Sequence, residues 1–540
     1  MTVTTRTKST AANAGGAEEP ARIKSADREI ELKFLTGEAD FKAIQTSAML
    51  EPVERRPAAQ RLHSVYFDTE TGDLARYGIL LRIRRVRTGQ ILTVKWPPGA
   101  GEGSFGRGEI EAPIRSAVPD PLLLGEHAAA EIARVTEGRP LQACFTTDIK
   151  RTVRRAVMGA SEIEAAFDTG FIICGEQKLP VREIELELKS GDPADLYRFG
   201  LALARHHDVC LGVLSKAQRG AMLRSGVPVM AVRAVSPGLA DHTVDQAIGA
   251  IINTCLTQFI ANWPAFEGPD RVEAVHQMRV AMRRLRSALA LFNRQFPCAE
   301  FAAIRAEAKQ IASAMGEARN WDVLEAMMQE GPCGAFASEP GFGPLMAAAE
   351  ARRKIGYDNV AGLLGHGDTT RFVLSVAAFV SGCGWRNAVS GAELSRLTEP
   401  VTGFALACLA RLHHRVKKRG RKLMDLPPEQ RHAVRIALKN LRYSAEFFSN
   451  LFGPREAVRS YTRATARLQE ALGNFNDIIM VTDLIEQLDV HGDVSLRAGG
   501  IVIGWYGRGS LLHDAGLREA WRQFRRAKPF WPAMPDQDKL

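Results

Sequence analysis

Between residues 28 and 220 apolar side chains recur at alternate positions, whereas beyond about residue 240 they recur every third or fourth. A period of two sends successive side chains to opposite faces of a strand, and a period near 3.6 gathers them on one face of a helix. One architecture cannot satisfy both, and 540 residues exceed an ordinary single core. The chain therefore divides into a strand-built half and a helical half. The strand signals are EIELKF (29–34), GILLRIRRV (78–86), ILTVKW (91–96), GRGEIEAPI (106–114) and VREIELELK (181–189), with helical pieces near 122–135 and 193–209. Pro237 and Gly238 mark a linker over 229–243.

Charge follows the same division. Of the formal net charge of +10, residues 1–230 carry +2 and residues 231–540 carry +8. The first half mixes both signs; the second calls for an anionic partner without naming it. The eight cysteines are scattered singly, which fits a reducing cytoplasm and argues against zinc knuckles or a disulfide framework. Residues 1–24 are small and polar and are expected to form a disordered tail, neither signal peptide nor anchor. The longest apolar stretch, Phe372 to Trp385, is too short to span a bilayer, so no membrane partner is expected.

Within the strand half, Glu29, Glu31 and Lys33 share one parity, as do Arg82 and Arg84, Thr93 and Lys95, Arg107, Glu109 and Glu111, and Glu183, Glu185, Glu187 and Lys189. A solvated sheet face is the ordinary reading of any one such segment. Taken together they suggest more. Glu-x-Glu pairs repel unless a cation sits between them, which suits a hard divalent ion with oxygen ligands. Arg-x-Arg pairs suit a multiply charged phosphate chain.

In order along the chain, Glu29-x-Glu31-x-Lys33, Tyr66-Phe67-Asp68-Thr69, Leu81-Arg82-Ile83-Arg84, Thr93-x-Lys95, Arg107-x-Glu109-x-Glu111, Asp168-x-Gly170, Glu183-Ile184-Glu185-Leu186-Glu187 and Ser215-Lys216-x-x-Arg219-Gly220 resemble the motifs of CYTH domains, the triphosphate tunnel metalloenzymes. The resemblance covers about 25–228. It implies an α+β domain built on a closed antiparallel barrel whose lumen holds the charged parity. It further implies catalytic roles for Glu29, Glu31 and Lys33. Mg²⁺ or Mn²⁺ would be bound by Glu29, Glu31, Asp168, Glu183 and Glu185. The triphosphate would be held by Lys33, Arg82, Arg84, Lys95, Arg151, Lys216 and Arg219. Glu109, Glu111 and Glu187 would position cations or water, and Arg154 is a weaker candidate. The activity implied is hydrolysis of inorganic tripolyphosphate. The alternatives are a class IV adenylate cyclase, a thiamine triphosphatase and a non-catalytic scaffold.

In the helical half, VHQMRVAMRRLRSALALF aligns with RHAVRIALKNLRYSAEFF at an offset of 156, and Met315-Gly316 aligns with Leu472-Gly473 at 157. Two repeats, about 244–390 and 400–532, are expected within an all-α domain over 244–532. His276, Arg279, Arg283 and Arg286 fall on one helix face spanning about 15 Å. Val275, Met278, Met282, Leu285, Leu289 and Phe292 form an adjacent apolar stripe. The second cation stripe is His432, Arg435, Lys439 and Arg442, preceded by a basic run from Arg411 to Lys422. Few acids stand at i±4, so an anion would relieve the repulsion. Nucleic acid is disfavoured, because aromatic platforms do not alternate with the cations.

These stripes, together with Gly316-Glu317-Ala318-Arg319-Asn320-Trp321-Asp322-Val323, Leu472-Gly473-x-x-Asn476-Asp477 and Trp521-x-x-Phe524, resemble the CHAD domain; Asn320 stands where that family usually has Asp. The resemblance implies that the two stripes bind long-chain polyphosphate, with a cytoplasmic location and association with polyphosphate granules.

Overall fold

The computed structural model describes residues 28–51, 59–86, 89–97, 105–488, 493–512 and 514–533. The expected tail over 1–24 lies outside them.

The strand half is a closed barrel. Its strands are β1 (Arg28–Thr36), β2 (Gln60–Asp68), β3 (Leu80–Val86), β4 (Gly89–Trp96), β5 (Gly106–Ile114), β6 (Gln142–Met158), β7 (Ser161–Cys174), β8 (Gln177–Ser190) and the short β9 (Val209–Leu211). The order β5-β4-β3-β2-β6-β7-β8-β1 is closed by antiparallel pairing of β1 with β5, so eight strands form a ring. β1 serves two neighbours along one edge: residues 28–30 pair with β5 and residues 34–36 with β9. Closure removes the free edges that an open sheet would expose.

Alternation explains the barrel's outer packing. Leu32 and Phe34 of β1 and Ile184 and Leu186 of β8 point outward and are fully buried. Helices α1 (Glu38–Gln45) and α4 (Pro193–His206) cover that side, contributing Phe41, Ile44, Leu196, Phe199 and Leu203. After the one-turn α2 (Asp73–Arg76), helix α3 (Glu126–Thr136) lays Ala128, Ile132 and Val135 on Leu81, Ile83, Leu92 and Val94. Helix α5 (Lys216–Ser225) begins with a capping box in which Ser215 and Gln218 exchange hydrogen bonds. That cap sets the first turn, from which Lys216 and Arg219 project.

The helical half runs through α6 (Val244–Asn262), α7 (Arg271–Asn293), α8 (Ala299–Glu330), α9 (Pro332–Ala335), α10 (Phe342–Gly365), α11 (Gly367–Ser381), α12 (Gly391–Leu397), α13 (Val401–Arg419), α14 (Pro428–Phe447), α15 (Arg455–Ala471), α16 (Asn474–Gln487), α17 (Asp493–Leu512) and α18 (Asp514–Arg526). The aligned cation stripes lie on α7 and α14, which pack together, with Ser287 Oγ 3.4 Å from Asn440 Oδ1. The helices downstream of α7 and α14 are built differently. Met315-Gly316 sits inside the 32-residue α8, whereas Leu472-Gly473 falls at the break between α15 and α16.

The segment between α5 and α6 is irregular yet pinned to the helices. Val232 N–H donates to Asn262 Oδ1 at 2.9 Å, Arg284 Nη2 donates to the Val235 carbonyl at 3.0 Å, and Leu239 is fully buried. The two halves also meet directly. Leu211 N–H donates to Thr370 Oγ1 at 2.9 Å, and Arg371 Nη1 donates to the Ala204 carbonyl at 2.9 Å. A Cβ placed on Gly200 of α4 would stand 2.8 Å from Leu32, 3.2 Å from Phe34 and 3.5 Å from Leu374. Barrel wall, α4 and α11 thus converge at one point of a shared apolar core. This accounts for the apolar run from Phe372: α11 is covered by the barrel domain and the helical domain together. No helix among the described residues is long and apolar enough to cross a membrane.

Candidate functional site

Strand register places the charged parity inside the ring. Lys33 lies opposite Glu185 and Glu31 opposite Glu187; Arg151 faces Asp168, which in turn faces Glu183. Lys95 is opposite Glu109, and Thr93 opposite both Arg82 and Glu111. Directly opposed side chains share a face, so one parity repeated around the ring converges on the lumen. The cavity it encloses has a volume of about 250 Å³ and is lined by Glu29, Glu31, Lys33, Arg82, Arg84 and Lys95, and by Arg151, Asp168, Glu185 and Lys216. Glu183 and Arg219 are not part of that lining. They pair with each other behind it, and Glu183 is fully buried.

The lumen and the wall just behind it hold two carboxylate groupings. Asp168, Glu183 and Glu185 each offer an oxygen, all within 4.8 Å of one another. Three acids this close repel strongly in a low-dielectric interior, so cations must stand among them. Lys33 Nζ is 2.9 Å from Glu185, 3.6 Å from Glu31 and 4.0 Å from Glu183. Lys216 Nζ is 2.7 Å from Asp168 and 2.9 Å from Glu185, and also bonds Glu183. Arg151 donates a two-pronged bond to Asp168, both arms 2.7 Å, and reaches Glu185. Burial alone would raise the Glu185 pKa, but Lys216, Lys33 and Arg151 outweigh it and hold the carboxyl well below the ordinary range. Burial would likewise lower Lys33, and Glu185, Glu31 and Glu183 instead raise it.

The second grouping is Glu29, Glu109 and Glu111. Lys95 bonds Glu29 and lies 3.3 Å from Glu109, while Arg82 stands 3.7 Å from Glu109 and 4.0 Å from Glu111. Burial pushes the Glu109 carboxyl up to about 7; Lys95 opposes the shift and Glu29 adds to it. Glu29 and Glu31, also expected as metal ligands, are not among the three acids whose oxygens lie within 4.8 Å of one another; Glu29 bonds Lys95, and Glu31 adjoins the cluster through Lys33, 3.6 Å away. Arg84 differs from its neighbours. It has no carboxylate within 4.0 Å among the described residues, and burial together with the Arg82 charge pushes its pKa down to about 10.

Some motif residues prove to be structural. Asp68 accepts N–H bonds from Thr69, Leu74 and Ala75 at 2.7, 2.8 and 2.9 Å, organising α2 rather than the lumen. Gly170 lets β6 pass close by, since a Cβ there would lie 2.1 Å from the Asp148 carbonyl oxygen. Arg154 has the opposite parity from Arg151 and donates to the Gln45 carbonyl at 3.3 Å. Glu164 lines the cavity yet was not singled out from the sequence. The alternation Glu162, Glu164, Ala166, Asp168 would have revealed it.

In the helical half the apolar stripe of α7, from Val275 to Phe292, is fully buried. The cation stripe beside it is half-buried. Arg279 is pushed down to about 10 by burial and by Arg283 and Arg319, and Arg286 is lowered by burial, Arg305 and Arg283. His276 is also lowered, by burial and by Arg319, against a smaller opposing pull from Glu273. Arg305 and Arg319 on α8 thus join the stripe's electrostatic field. The sequence reading missed them because it followed single helices. On α14, Arg442 bonds Glu446 at 3.0 Å, an i,i+4 partner that relieves part of the second stripe.

A ring of eight antiparallel strands around opposed charges, followed by a helical domain with a cation-lined face, defines a two-part barrel–helix protein. Residues 27–221 match the family model of the CYTH domain and residues 250–486 that of the CHAD domain, so the chain belongs to the CYTH–CHAD proteins. An inorganic triphosphatase of Haemophilus influenzae is 35% identical over 166 residues, 30% of this chain and 46% of that one. An uncharacterized protein of Mycobacterium tuberculosis is 29% identical over 335 residues, 57% of this chain and 60% of that one. The alignments thus span roughly half the length of these relatives. The crystal structure of the CHAD domain from the plant Ricinus communis is 27% identical with a TM-score of 0.48, covering 56% of this chain and 98% of that one.

Proposed function

We propose that the barrel hydrolyses inorganic tripolyphosphate with the help of Mg²⁺ or Mn²⁺, and that the helical domain binds long-chain polyphosphate. The observation carrying this reading is the barrel interior's division of labour: a three-carboxylate cluster within 4.8 Å and a half-buried arginine, Arg84, with no carboxylate within 4.0 Å among the described residues. A structural salt-bridge network needs neither feature. Hard oxygen donors at this spacing fit a divalent ion, which when bound would neutralise charge on the phosphate chain and act as a Lewis acid.

The chain's own residues do the rest. Carboxylates engaged by a cation would release Lys33, Lys216 and Arg151 to the phosphate oxygens. Arg82 and Arg84 would grip the chain from the facing wall and hold its terminal phosphorus in line for water. The water oxygen bonds to that phosphorus, the bridging P–O bond breaks toward pyrophosphate, and the proton lost passes to solvent or a lumen carboxylate.

The lining favours an inorganic substrate over a nucleotide or a thiamine ester. Tyr66 is the one aromatic residue lining the cavity among those described, and its ring is already stacked on Phe145 with centroids 4.6 Å apart. One face of that ring is therefore already covered. In this reading polyphosphate granules are where the helical domain would hold the protein.

The test is phosphate release from tripolyphosphate, ATP and thiamine triphosphate, with Mg²⁺, with Mn²⁺ and with a chelator. Metal-dependent turnover fastest on tripolyphosphate is expected. Cyclic AMP formation from ATP would replace this reading with the cyclase, and absence of turnover on all three would leave a scaffold.

A further inference from the structure

Exposed arginines recur every fourth residue on two neighbouring helices near the end of the chain. On α15 they are Arg455, Arg459, Arg463 and Arg467; on α18 they are Arg518, Arg522 and Arg526. Four residues advance a helix by about 6 Å and little more than one turn, so each set forms a ladder along one face. Like charges at this spacing destabilise a helix that has no anion to set against them. The one ion pair in either ladder among the described residues joins Arg522 to Glu519. At the offset of 157 that aligns Leu472-Gly473 with Met315-Gly316, the α15 ladder falls on Cys298, Ala302, Ala306 and Gln310. It is therefore separate from the cation stripes that α7 and α14 have in common.

The ladders are joined side by side. Arg467 Nη1 donates to Gln523 Oε1 at 3.1 Å, and farther back along α15 Tyr461 packs with Phe524, Phe530 and Trp531, so the two segments run antiparallel. Gln523 Nε2 donates to Glu519 at 2.9 Å, and Glu519 also accepts from Arg522. Side-chain contacts thus run unbroken from one ladder to the other. Beneath them Tyr461, Phe524, Phe530 and Trp531 are buried, and the Tyr461 hydroxyl lies 2.9 Å from His413 Nδ1. The aromatic groups form a floor, and none of those on α15 or α18 is exposed among the arginines. The result is a two-row plate about 18 Å long on the α15 side, its rows roughly 8–10 Å apart.

We propose that this arginine plate rests on an anionic lipid surface. Lacking exposed aromatic faces, it offers no stacking platform for single-stranded nucleic acid. A duplex winds its phosphates around a cylinder and away from a plane. Lipid headgroups instead lie in one plane and diffuse to meet each guanidinium, whose fork grips a phosphate through two N–H groups. Each basic residue brought near such a surface adds its own increment of attraction. Surface attachment needs no spanning segment, so the shortness of the apolar run from Phe372 does not bear on it. The proposal is independent of the triphosphatase reading.

The test is flotation of the full chain with vesicles of phosphatidylcholine and phosphatidylglycerol at about 2:1. Binding to these, none to pure phosphatidylcholine, and release as salt rises from about 50 to about 300 mM are expected. Arg459→Ala, Arg463→Ala and Arg522→Ala combined should weaken vesicle binding by roughly a hundredfold. All three side chains are exposed, so melting temperature, tripolyphosphate turnover and polyphosphate binding should stay at the parent's values. Arg279→Ala with Arg435→Ala should leave vesicle binding in place. A folded parent chain that ignores the mixed vesicles, or a triple variant that binds them as the parent does, would overturn the proposal. Duplex DNA bound in preference to the vesicles and lost in the triple variant would assign the plate to nucleic acid instead. Polyphosphate binding lost in that variant to the same degree would make the plate part of the polyphosphate path and overturn it equally.

Discussion

The barrel lumen and the α7 stripe are both rich in cations, yet they solve the problem of like charge in opposite ways. In the lumen, Glu185 alone meets Lys33 and Lys216 at 2.9 Å each and Arg151 as well. On α7, Arg279 finds mainly other arginines, Arg283 and Arg319. Enclosure explains the difference. A buried unpaired charge costs several kcal/mol, so a closed ring must balance its interior even when empty. A half-exposed helix face borrows screening from water and can leave its cations uncompensated. The first arrangement suits a site that exchanges partners during a reaction; the second suits one that waits for a long polyanion.

This contrast can be broken by mutation. The largest effect is expected from Glu185→Gln, which removes the shared partner of three cations. Tripolyphosphate turnover should fall by roughly 100-fold or more, while polyphosphate binding by the full chain stays unchanged; parallel loss of both, measured by phosphate release and a filter-binding assay, would erase the distinction between the two regions. Next in size, Arg279→Ala combined with Arg435→Ala should weaken polyphosphate binding by roughly tenfold or more, with barrel kinetics close to the parent's.

Acidity sharpens the contrast further. The folded pKa of Glu185 and of Asp168 is depressed, so the stability they contribute is present above the usual carboxylate values and is lost as pH falls through their lower folded values. His276 is a base lowered from 6.5, so it charges in the folded protein only below that value, and a bound polyanion would raise it again. Polyphosphate binding should therefore take up a proton and tighten by a few-fold as pH drops from about 7.5 to about 5.5, a gain that His276→Gln should flatten when titrated by calorimetry. The smallest effect belongs to Arg154→Ala. With its side chain turned to the Gln45 carbonyl, it should change turnover by less than about twofold.

Much of the barrel could be read from the chain because alternation is a local signal. Glu29, Glu31 and Lys33 announce their shared face within five residues, and closure of the ring turns that face inward. What alternation cannot convey is which strands become neighbours. The different surroundings of Glu29 and of the cluster of Asp168, Glu183 and Glu185 are set by ring order and register, which bring Lys95 to Glu29, and by helix α5, from which Lys216 reaches Asp168. The helical half shows the same limit. The α7 stripe is visible from its spacing, but Arg305 and Arg319 enter only when α8 packs alongside. Tyr66 and Asp68, two residues apart in one motif, end in different surroundings: Tyr66 lines the cavity, whereas Asp68 accepts from the backbone of α2.

The convergence at Gly200 has a mechanical corollary. With α4 wedged between β1 and α11, and the connecting segment strapped to α6 and α7, the chain has no slack between its halves, so the arithmetic of flexible tethers does not apply. A polymer touching both regions would have to bridge one set distance, as if measured against a ruler. Lengthening the strap would leave that span untouched, whereas a bulky residue in place of Gly200 would pry the ruler apart.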